Sequence, residues 1–188
     1  MNIFRSIRTM LLFVLVLAAC ASPAAPTIYK TVSEATLKPG SAVPAPKGDV
    51  ILTLEGKIGQ ANVSGKLQFD MATLESIGTV QYEVDDPFAK KKVVYTGVLL
   101  SQLLKVAGAA ANGTTLTLKA LDDYSADMKV SDVNKWPILV ATKADGAYMP
   151  VDKNGPLISV LPFSNFPEID HVTYDALWIW SLSAINVK

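Results

Sequence analysis

Most apolar positions in the chain follow patterns that predict β-strands. Four segments alternate apolar and polar residues, as half-buried strands do: residues 49–56, 79–84, 114–121 and 125–130. Residues 63–67 form a shorter segment of the same kind. Residues 137–142 and 157–161 are continuous apolar runs that begin at or just after a proline, which favours buried strands with rigid ends.

The clearest helical periodicity lies in residues 97–107. Gly108 follows this segment and is a typical residue at a helix end. The periodicity places five side chains on one broad apolar face: Val98, Leu99, Leu103, Leu104 and Ala107.

Two further helical segments are short. Residues 70–77 predict a helix with Asp70 as its N-cap, and residues 131–135 predict a helical turn capped by Ser131 or Asp132. Strands therefore predominate over helices. The pattern predicts an α+β fold around a mixed, largely antiparallel β-sheet.

Residues 143–163 contain two turn signals. Asp145-Gly146 and Asn154-Gly155 supply the positive φ that a tight reversal needs, and residues 148–151 between them are extended in pattern. The segment therefore predicts a strand, a turn, a second strand, a turn and a third strand at residues 157–161.

The first 20 residues have the pattern of an export signal. Arg5 and Arg8 precede an apolar run, residues 10–17, that is too short to span a bilayer. The run ends in Leu17-Ala18-Ala19-Cys20, which resembles the lipobox of bacterial lipoproteins, so we expect Cys20 to carry a lipid anchor. The alternative is an ordinary signal peptide with an incidental cysteine.

Such an anchor predicts a protein of the cell envelope that faces the periplasm. Ala21 after the cysteine favours the outer membrane, if the source is Gram-negative. Because Cys20 is the only cysteine, lipidation leaves no thiol for a disulfide or a thiolate metal site.

Residues 21–47 are rich in alanine, proline, serine and threonine. This composition predicts a flexible tether, with one folded domain from residue 48 to residue 188. The alternative is a short N-terminal strand, residues 28–32, that pairs at a sheet edge.

Charge and residue content exclude several kinds of site. Lysine plus arginine and aspartate plus glutamate number 17 each, and Lys90-Lys91-Lys92 is the only basic run, which does not indicate nucleic-acid binding. The single histidine, His171, rules out a histidine cluster. Asp85-Asp86 and Asp122-Asp123 are typical of turns and lack the further ligands of a calcium loop. The residues alone do not indicate an enzyme.

Three motifs resemble a known family. They are Asp-Gly, Gly-Pro and Pro-Phe in order within residues 143–163, TGVLLSQLLKVAGA at residues 96–109, and Trp180-Ser181-Leu182 near the end. In this order and spacing, residues 48–188 resemble the oxidoreductase molybdopterin-binding domain, which has the fold of sulfite oxidase.

The resemblance implies a cofactor site that this chain departs from. Catalytic members bind molybdenum through one cysteine thiolate, and the matching position here is about Tyr82, a poor replacement for a soft thiolate. They also place arginines around the cofactor phosphate, whereas the only arginines here are Arg5 and Arg8. We therefore expect either no cofactor or a molybdenum-free pterin, in preference to molybdopterin.

Small secreted members without the cysteine resemble periplasmic pterin-binding regulators, which bind a molybdenum-free pterin and control a membrane-bound cyclic-di-GMP enzyme. This resemblance predicts a non-catalytic lipoprotein that senses a pterin-type ligand for a membrane receptor. Two alternatives remain: an atypical molybdopterin-dependent oxidoreductase and a structural envelope lipoprotein.

A pterin ring needs an aromatic face and a hydrogen-bonding edge. Trp136 is the first choice for stacking, because Pro137 places it at an element boundary, although every aromatic here could instead be core. Trp178 and Trp180 are expected on one face of the closing strand. The predicted ligand-binding residues are Trp136, Tyr124, Asp123, Tyr82, Asp85, Asp86, Phe88, Phe163 and Asn165.

Overall fold

The computed structural model describes residues 28–109 and 113–188. The predicted signal, Cys20 and the first part of the predicted tether lie outside these residues. None of the helices within the described ranges is long and apolar enough to cross a membrane.

Eleven strands and four short α-helices make up the described residues. The strands are β1 (Lys30–Ser33), β2 (Leu52–Gly56), β3 (Leu67–Phe69), β4 (Thr79–Asp86), β5 (Lys91–Leu99), β6 (Thr115–Ala120), β7 (Ser125–Lys129), β8 (Leu139–Ala144), β9 (Ala147–Tyr148), β10 (Ile158–Val160) and β11 (Leu182–Val187). The helices are α1 (Met71–Glu75), α2 (Leu100–Val106), α3 (Val130–Lys135) and α4 (His171–Tyr174). Single 3₁₀ turns occupy Val151–Lys153, Phe163–Asn165 and Asp175–Leu177.

The strands form two sheets. One has six strands in the order β1-β4-β5-β8-β10, with β9 paired to β8, and the other has the order β3-β2-β11-β6-β7. All pairings are antiparallel except that of β11 with β2. Apolar side chains from both sheets join one hydrophobic core. The predicted α+β fold with a mixed, largely antiparallel sheet is confirmed.

The helix predicted for residues 97–107 begins later than its periodicity indicated. Gly97 to Leu99 end β5, pair with β8 and are buried, and the helix occupies only Leu100–Val106. Gly97 lies where β5 and β8 approach so closely that a Cβ atom would overlap the Val140 carbonyl oxygen. A continuous apolar run fits a buried strand and a helix equally well. Pairing with β8 keeps residues 97–99 in the strand and sets the start of the helix. Gly108 follows α2 with φ +60°, as its predicted role requires.

The N-terminal boundary of the domain at residue 48 needs correction. β1 pairs with β4 at the edge of the six-stranded sheet, close to the alternative strand at residues 28–32. Leu37 and Val43 are buried in the core, at 8% and 7% exposure. The segment from residue 28 to residue 47 is therefore part of the fold, because two well-placed apolar side chains and an open sheet edge outweigh its polar composition.

Two of the other predicted element ends also differ. α3 begins one residue earlier than predicted, with Lys129 and neither Ser131 nor Asp132 as N-cap, and no side-chain hydrogen bond caps this end. The strand predicted for residues 148–151 is only two residues long and is followed by a 3₁₀ turn. Asp70 is confirmed as the N-cap of α1, where its side chain accepts from the Thr73 N–H group.

The closing strand starts at Leu182, so Trp178 and Trp180 lie in the segment before it. They do not share one strand face: Trp178 is 3% exposed and Trp180 is 38% exposed. Ser181, between Trp180 and the strand, has φ +50° and breaks the extended geometry that alternation assumed. This irregular segment brings both rings to the candidate site.

Candidate functional site

A cavity of about 610 Å³ opens at the surface of the molecule. It lies between the β6–β7 turn, the 3₁₀ turn Asp175–Leu177, the segment before β11 and the tip of the β4–β5 hairpin. We call it the aromatic cleft. Its aromatic lining consists of Phe88, Tyr124, Trp178 and Trp180, and its other lining side chains include Leu121, Asp122, Val151, Asn154 and Asp175.

Two of the aromatic rings form the accessible wall of the cleft. Phe88 and Trp180 meet edge to face, with ring centroids 4.7 Å apart and an interplanar angle of 69°. Both remain well exposed, at 43% and 38%. Exposed aromatic rings that already support each other offer a preorganised face on which a planar ligand can stack.

Trp178 forms the base of the cleft and is held from behind. Phe163 lies nearly parallel to it, with centroids 6.0 Å apart, and His171 in turn stacks on Phe163 at 4.3 Å. Phe163 is buried, so it supports the base. His171 also reaches the cleft wall, because its Nδ1 is 2.7 Å from Oδ1 of Asp175.

Tyr124 joins two walls of the cleft. Its hydroxyl donates a hydrogen bond of 3.0 Å to the carbonyl oxygen of Ala176, which ties the β6–β7 turn to the 3₁₀ turn. The ring itself is 47% exposed. Its face is therefore open to a ligand while its position is fixed.

Polar groups lie on the side of the cleft formed by these two turns. Asp122 Oδ1 accepts from the Tyr124 N–H group at 3.1 Å, which fixes the carboxylate at the turn. Asp175 brings a second carboxylate, and Asn154, which follows the 3₁₀ turn Val151–Lys153, adds an amide from another part of the lining. Carboxylate oxygens accept hydrogen bonds from adjacent N–H donors, such as those of an amino-pyrimidinone edge.

The loop that carries Phe88 is shaped by Asp86. Oδ1 of this buried aspartate accepts from the N–H groups of Phe88 and Ala89, both at 2.8 Å, and Oδ2 accepts from the Tyr95 hydroxyl at 2.6 Å. Burial, reinforced by the hydrogen bond to Asp86, holds the pKa of Tyr95 well above its usual range, so this hydroxyl stays a donor. Asp86 is a positioning residue for the ring of Phe88.

Trp136, the first choice for stacking, lies elsewhere. It is 4% exposed, its Nε1–H group donates to Glu168 Oε1 at 3.3 Å, and it meets Tyr174 edge to face at 5.2 Å. It borders a smaller groove of about 250 Å³ that shares no lining residue with the aromatic cleft.

Three more predicted residues lie outside the cleft lining. Asp85 bonds with Ser164, whose hydroxyl donates to its Oδ2 at 3.0 Å. Asp123 is next to the cleft but points to Lys119, at 2.7 Å, and this lysine lowers the pKa of its carboxyl. Asn165 is exposed on a 3₁₀ turn. Of the nine predicted ligand-binding residues, Phe88 and Tyr124 line the aromatic cleft.

Tyr82 occupies the position matched to the metal-ligand cysteine, and its side chain packs in the hydrophobic core. It is 4% exposed, and its hydroxyl donates to the Val160 carbonyl oxygen at 3.1 Å. Burial raises its pKa well above the usual range, so the phenolate that a metal would need is strongly disfavoured. Tyr82 is a packed structural residue at this position.

The residues present do not fit a molybdenum-bearing molybdopterin. Residues 28–109 and 113–188 contain no cysteine and no arginine, and no three histidine, aspartate or glutamate side chains among them form a metal-binding group. Hard carboxylate and phenol oxygens are also poor substitutes for a soft thiolate. These residues therefore support no reaction step through that cofactor.

Sequence reasoning missed several lining residues, among them Leu121, Val151 and Asp175. Leu121 lies in the β6–β7 turn, and Val151 and Asp175 each begin a 3₁₀ turn; such short segments carry no periodic signal. The sequence indicated these residues only indirectly. Asn154-Gly155 and Asp122-Asp123 are turn dipeptides, and binding sites often form where turns lie close together.

Comparisons with known proteins agree with this fold. The sequence profile of the family described as the oxidoreductase molybdopterin binding domain matches residues 60–165. Among solved structures, the chain is similar to the sulfane dehydrogenase SoxCD from Paracoccus pantotrophus, with a TM-score of 0.55 and 15% sequence identity. That similarity covers 72% of this chain and 37% of the SoxCD chain, so this chain spans well under two thirds of that protein. A comparison with curated proteins found no match.

The profile match covers more than half of the chain, and the structural similarity extends over most of it. The chain therefore belongs to the oxidoreductase molybdopterin-binding domain family.

Proposed function

We propose that this protein binds a molybdenum-free, pterin-type heterocycle in the aromatic cleft and does not catalyse a reaction. One observation carries the proposal. The cleft presents exposed aromatic faces beside carboxylates, whereas the position of the family's metal ligand is occupied by the buried, hydrogen-bonded Tyr82.

The size and lining of the cleft support a small planar ligand. Its volume of about 610 Å³ is within the usual range for small-molecule sites. The ligand ring stacks on Phe88 or Trp180, and its amino-pyrimidinone edge donates to Asp122 or Asp175. Trp178, supported by Phe163, closes the base and keeps the ring at the accessible wall.

The side chains that line the cleft support binding without catalysis. Pterin alone supplies no oxo-transfer centre, and the described residues that line the cleft include no cysteine or lysine nucleophile. The carboxylates and hydroxyl of the cleft are suited to holding a ligand by hydrogen bonds. We therefore assign the cleft to recognition.

A sensing role rests on the surface around the cleft. Leu121 and Val151 are 56% and 61% exposed and lie at its rim, where a bound ligand changes the surface that a partner meets. With a lipid on Cys20, the domain is held at the envelope, at the outer membrane and facing the periplasm. The partner we propose is the periplasmic domain of a membrane receptor, such as a cyclic-di-GMP enzyme.

The test is chemical analysis of the full chain purified in detergent from its native envelope. We expect a pterin in the mass spectrum of the denatured protein and molybdenum far below one atom per chain. Stoichiometric molybdenum with a dithiolene pterin would overturn the proposal and favour the atypical oxidoreductase. A protein that releases no small molecule and binds no added pterin would favour the structural lipoprotein.

A further inference from the structure

A second cavity, of about 410 Å³, lies directly beside the aromatic cleft. The two share three lining residues: Phe88, Asn154 and Trp180. We call the second one the lysine cavity, because Lys91 and Lys153 line it. The pair of rings that forms the stacking wall of the first cavity is therefore also a wall of the second.

Four charged side chains line the lysine cavity, and three of them already have partners. Asp86 is buried and accepts from three donors, as described above. Asp145 accepts from the Val94 N–H group at 3.0 Å through Oδ1, and its Oδ2 is 3.5 Å from Nζ of Lys91. Lys153 forms no ion pair within 4.0 Å with any residue of the described ranges.

The polar groups of the two cavities therefore complement the two ends of a single pterin. The aromatic cleft offers carboxylate acceptors, which suit the N–H donors of an amino-pyrimidinone. The lysine cavity offers an ammonium group without a protein counter-ion. A pterin carries its side chain at the end opposite the amino-pyrimidinone edge, so a ring seated in the cleft can direct that side chain past Phe88 and Trp180.

We propose that the lysine cavity binds an anionic substituent of the ligand, a carboxylate or a phosphate, with Lys153 as its main charge partner. This inference rests on the proposed function and narrows its ligand class to acidic pterins. Lys91 contributes a second positive charge that Asp145 partly neutralises. The contribution of Lys153 is electrostatic and near the surface, so added salt weakens it.

The test compares three probes by isothermal titration with the full chain in detergent: 6-hydroxymethylpterin, its monophosphate and pterin-6-carboxylate. We expect at least one anionic probe to bind about 5-fold or more tightly than the neutral one at low salt, with the advantage reduced at 0.5 M salt. The better anionic probe identifies the carboxylate or the phosphate as the source of the charge.

The variant Lys153→Gln removes the charge and keeps the side chain's reach. We expect it to abolish the preference for the anionic probe and to leave the affinity for 6-hydroxymethylpterin unchanged. Lys57→Gln is the matched control, because Lys57 is exposed and lines neither cavity. Circular dichroism confirms that both variants are folded.

The outcomes separate the two proposals. Equal binding of all three probes, or an anionic preference that survives Lys153→Gln, overturns the anionic subsite and leaves pterin binding in place. A failure of every probe to bind overturns both proposals.

Discussion

Asp70 connects two parts of the chain through one side chain. Its Oδ2 accepts from the N–H groups of Lys47 and Gly48 at 2.8 and 2.9 Å, and its Oδ1 accepts from Thr73 N–H at 2.8 Å. The carboxylate therefore caps α1 and also holds the segment that connects β1 to β2. The bonds from Gly48 and Thr73 are the main reason that its pKa lies far below the ordinary value.

We expect Asp70→Asn to lower the free energy of unfolding by about 2 kcal/mol at pH 7, because hydrogen bonds to a charged acceptor are worth about 1.5–3 kcal/mol. A group with a depressed folded pKa stabilises the fold above its unfolded pKa. The difference between wild type and variant should therefore be full above about pH 5 and shrink as the pH falls from about 4. Urea unfolding at several pH values measures it.

Asp152→Asn is the control for this experiment, since Asp152 is an exposed aspartate with no hydrogen bond to a described residue. It should change the stability by less than about 0.5 kcal/mol at every pH. An Asp70→Asn variant with a pH profile parallel to that of wild type would contradict the role assigned to the carboxylate.

The sequence identified Asp70 only in part. Its role as N-cap could be predicted because Thr73 is three residues away, and capping is a local rule. The bonds from Lys47 and Gly48 could not be predicted, because they span more than 20 residues of sequence. The same limit applies to Tyr82, whose buried hydroxyl donates to the carbonyl oxygen of Val160, 78 residues away in sequence.

At the scale of elements, local sequence patterns located most strands. They did not locate strands such as β5, whose extent depends on pairing with a neighbouring strand. β4 was predicted from its alternation, but β5, its hairpin partner, begins in the basic run and continues into an apolar run that resembles a helix. Seven residue pairs, Val80↔Gly97 through Asp86↔Lys91, join the two strands. Register of this kind comes from backbone pairing, which side-chain periodicity does not encode.

β1 and the segment after it provide the clearest test at this scale. A chain that begins at residue 48 loses β1, the buried side chains of Leu37 and Val43 and the hydrogen bond from Lys47 N–H to Asp70. Burial of two such side chains is worth about 3–6 kcal/mol, from which the entropy of ordering the segment is subtracted. We therefore expect this chain to be less stable by about 2 kcal/mol or more than a chain that begins at residue 28, in chemical denaturation.

Two single substitutions in the longer chain distinguish the contribution of buried side chains from the effect of chain length on stability. Leu37→Ala should cost about 2–3 kcal/mol, whereas Val32→Ala, at a side chain that is 50% exposed, should cost under about 0.5 kcal/mol. Equal denaturation midpoints for the chains that begin at residues 28 and 48 would instead support the flexible tether.

At the scale of the whole molecule, the candidate site is assembled from segments far apart in sequence. Phe88 comes from a hairpin tip, Tyr124 from a turn of the other sheet, and Trp180 from the irregular segment before β11. The sequence could predict that aromatic side chains near turns line a site. It could not rank Trp136 below Trp180, because only the packing of the two sheets determines which rings meet.

Ligand binding should be visible in the stability of the whole chain. A ligand at 100 times its dissociation constant adds about 2.7 kcal/mol to the unfolding free energy, which raises the melting temperature of a chain of this length by about 5–10 °C. We expect a pterin to produce this shift in the wild type and molybdate to produce none. Differential scanning calorimetry of the full chain measures it.

Two matched tryptophan variants assign the shift to one site. Trp180→Leu removes an exposed stacking face and should weaken binding about 10-fold or more, since aromatic stacking adds to the lost contact area. The shift at a fixed pterin concentration should then fall. Trp136→Leu should lower the melting temperature of the free protein, because this ring is buried, but leave the pterin-induced shift unchanged. The reverse result would move the binding site to the groove beside Trp136, and the same shift in both variants would exclude both rings as the stacking residue.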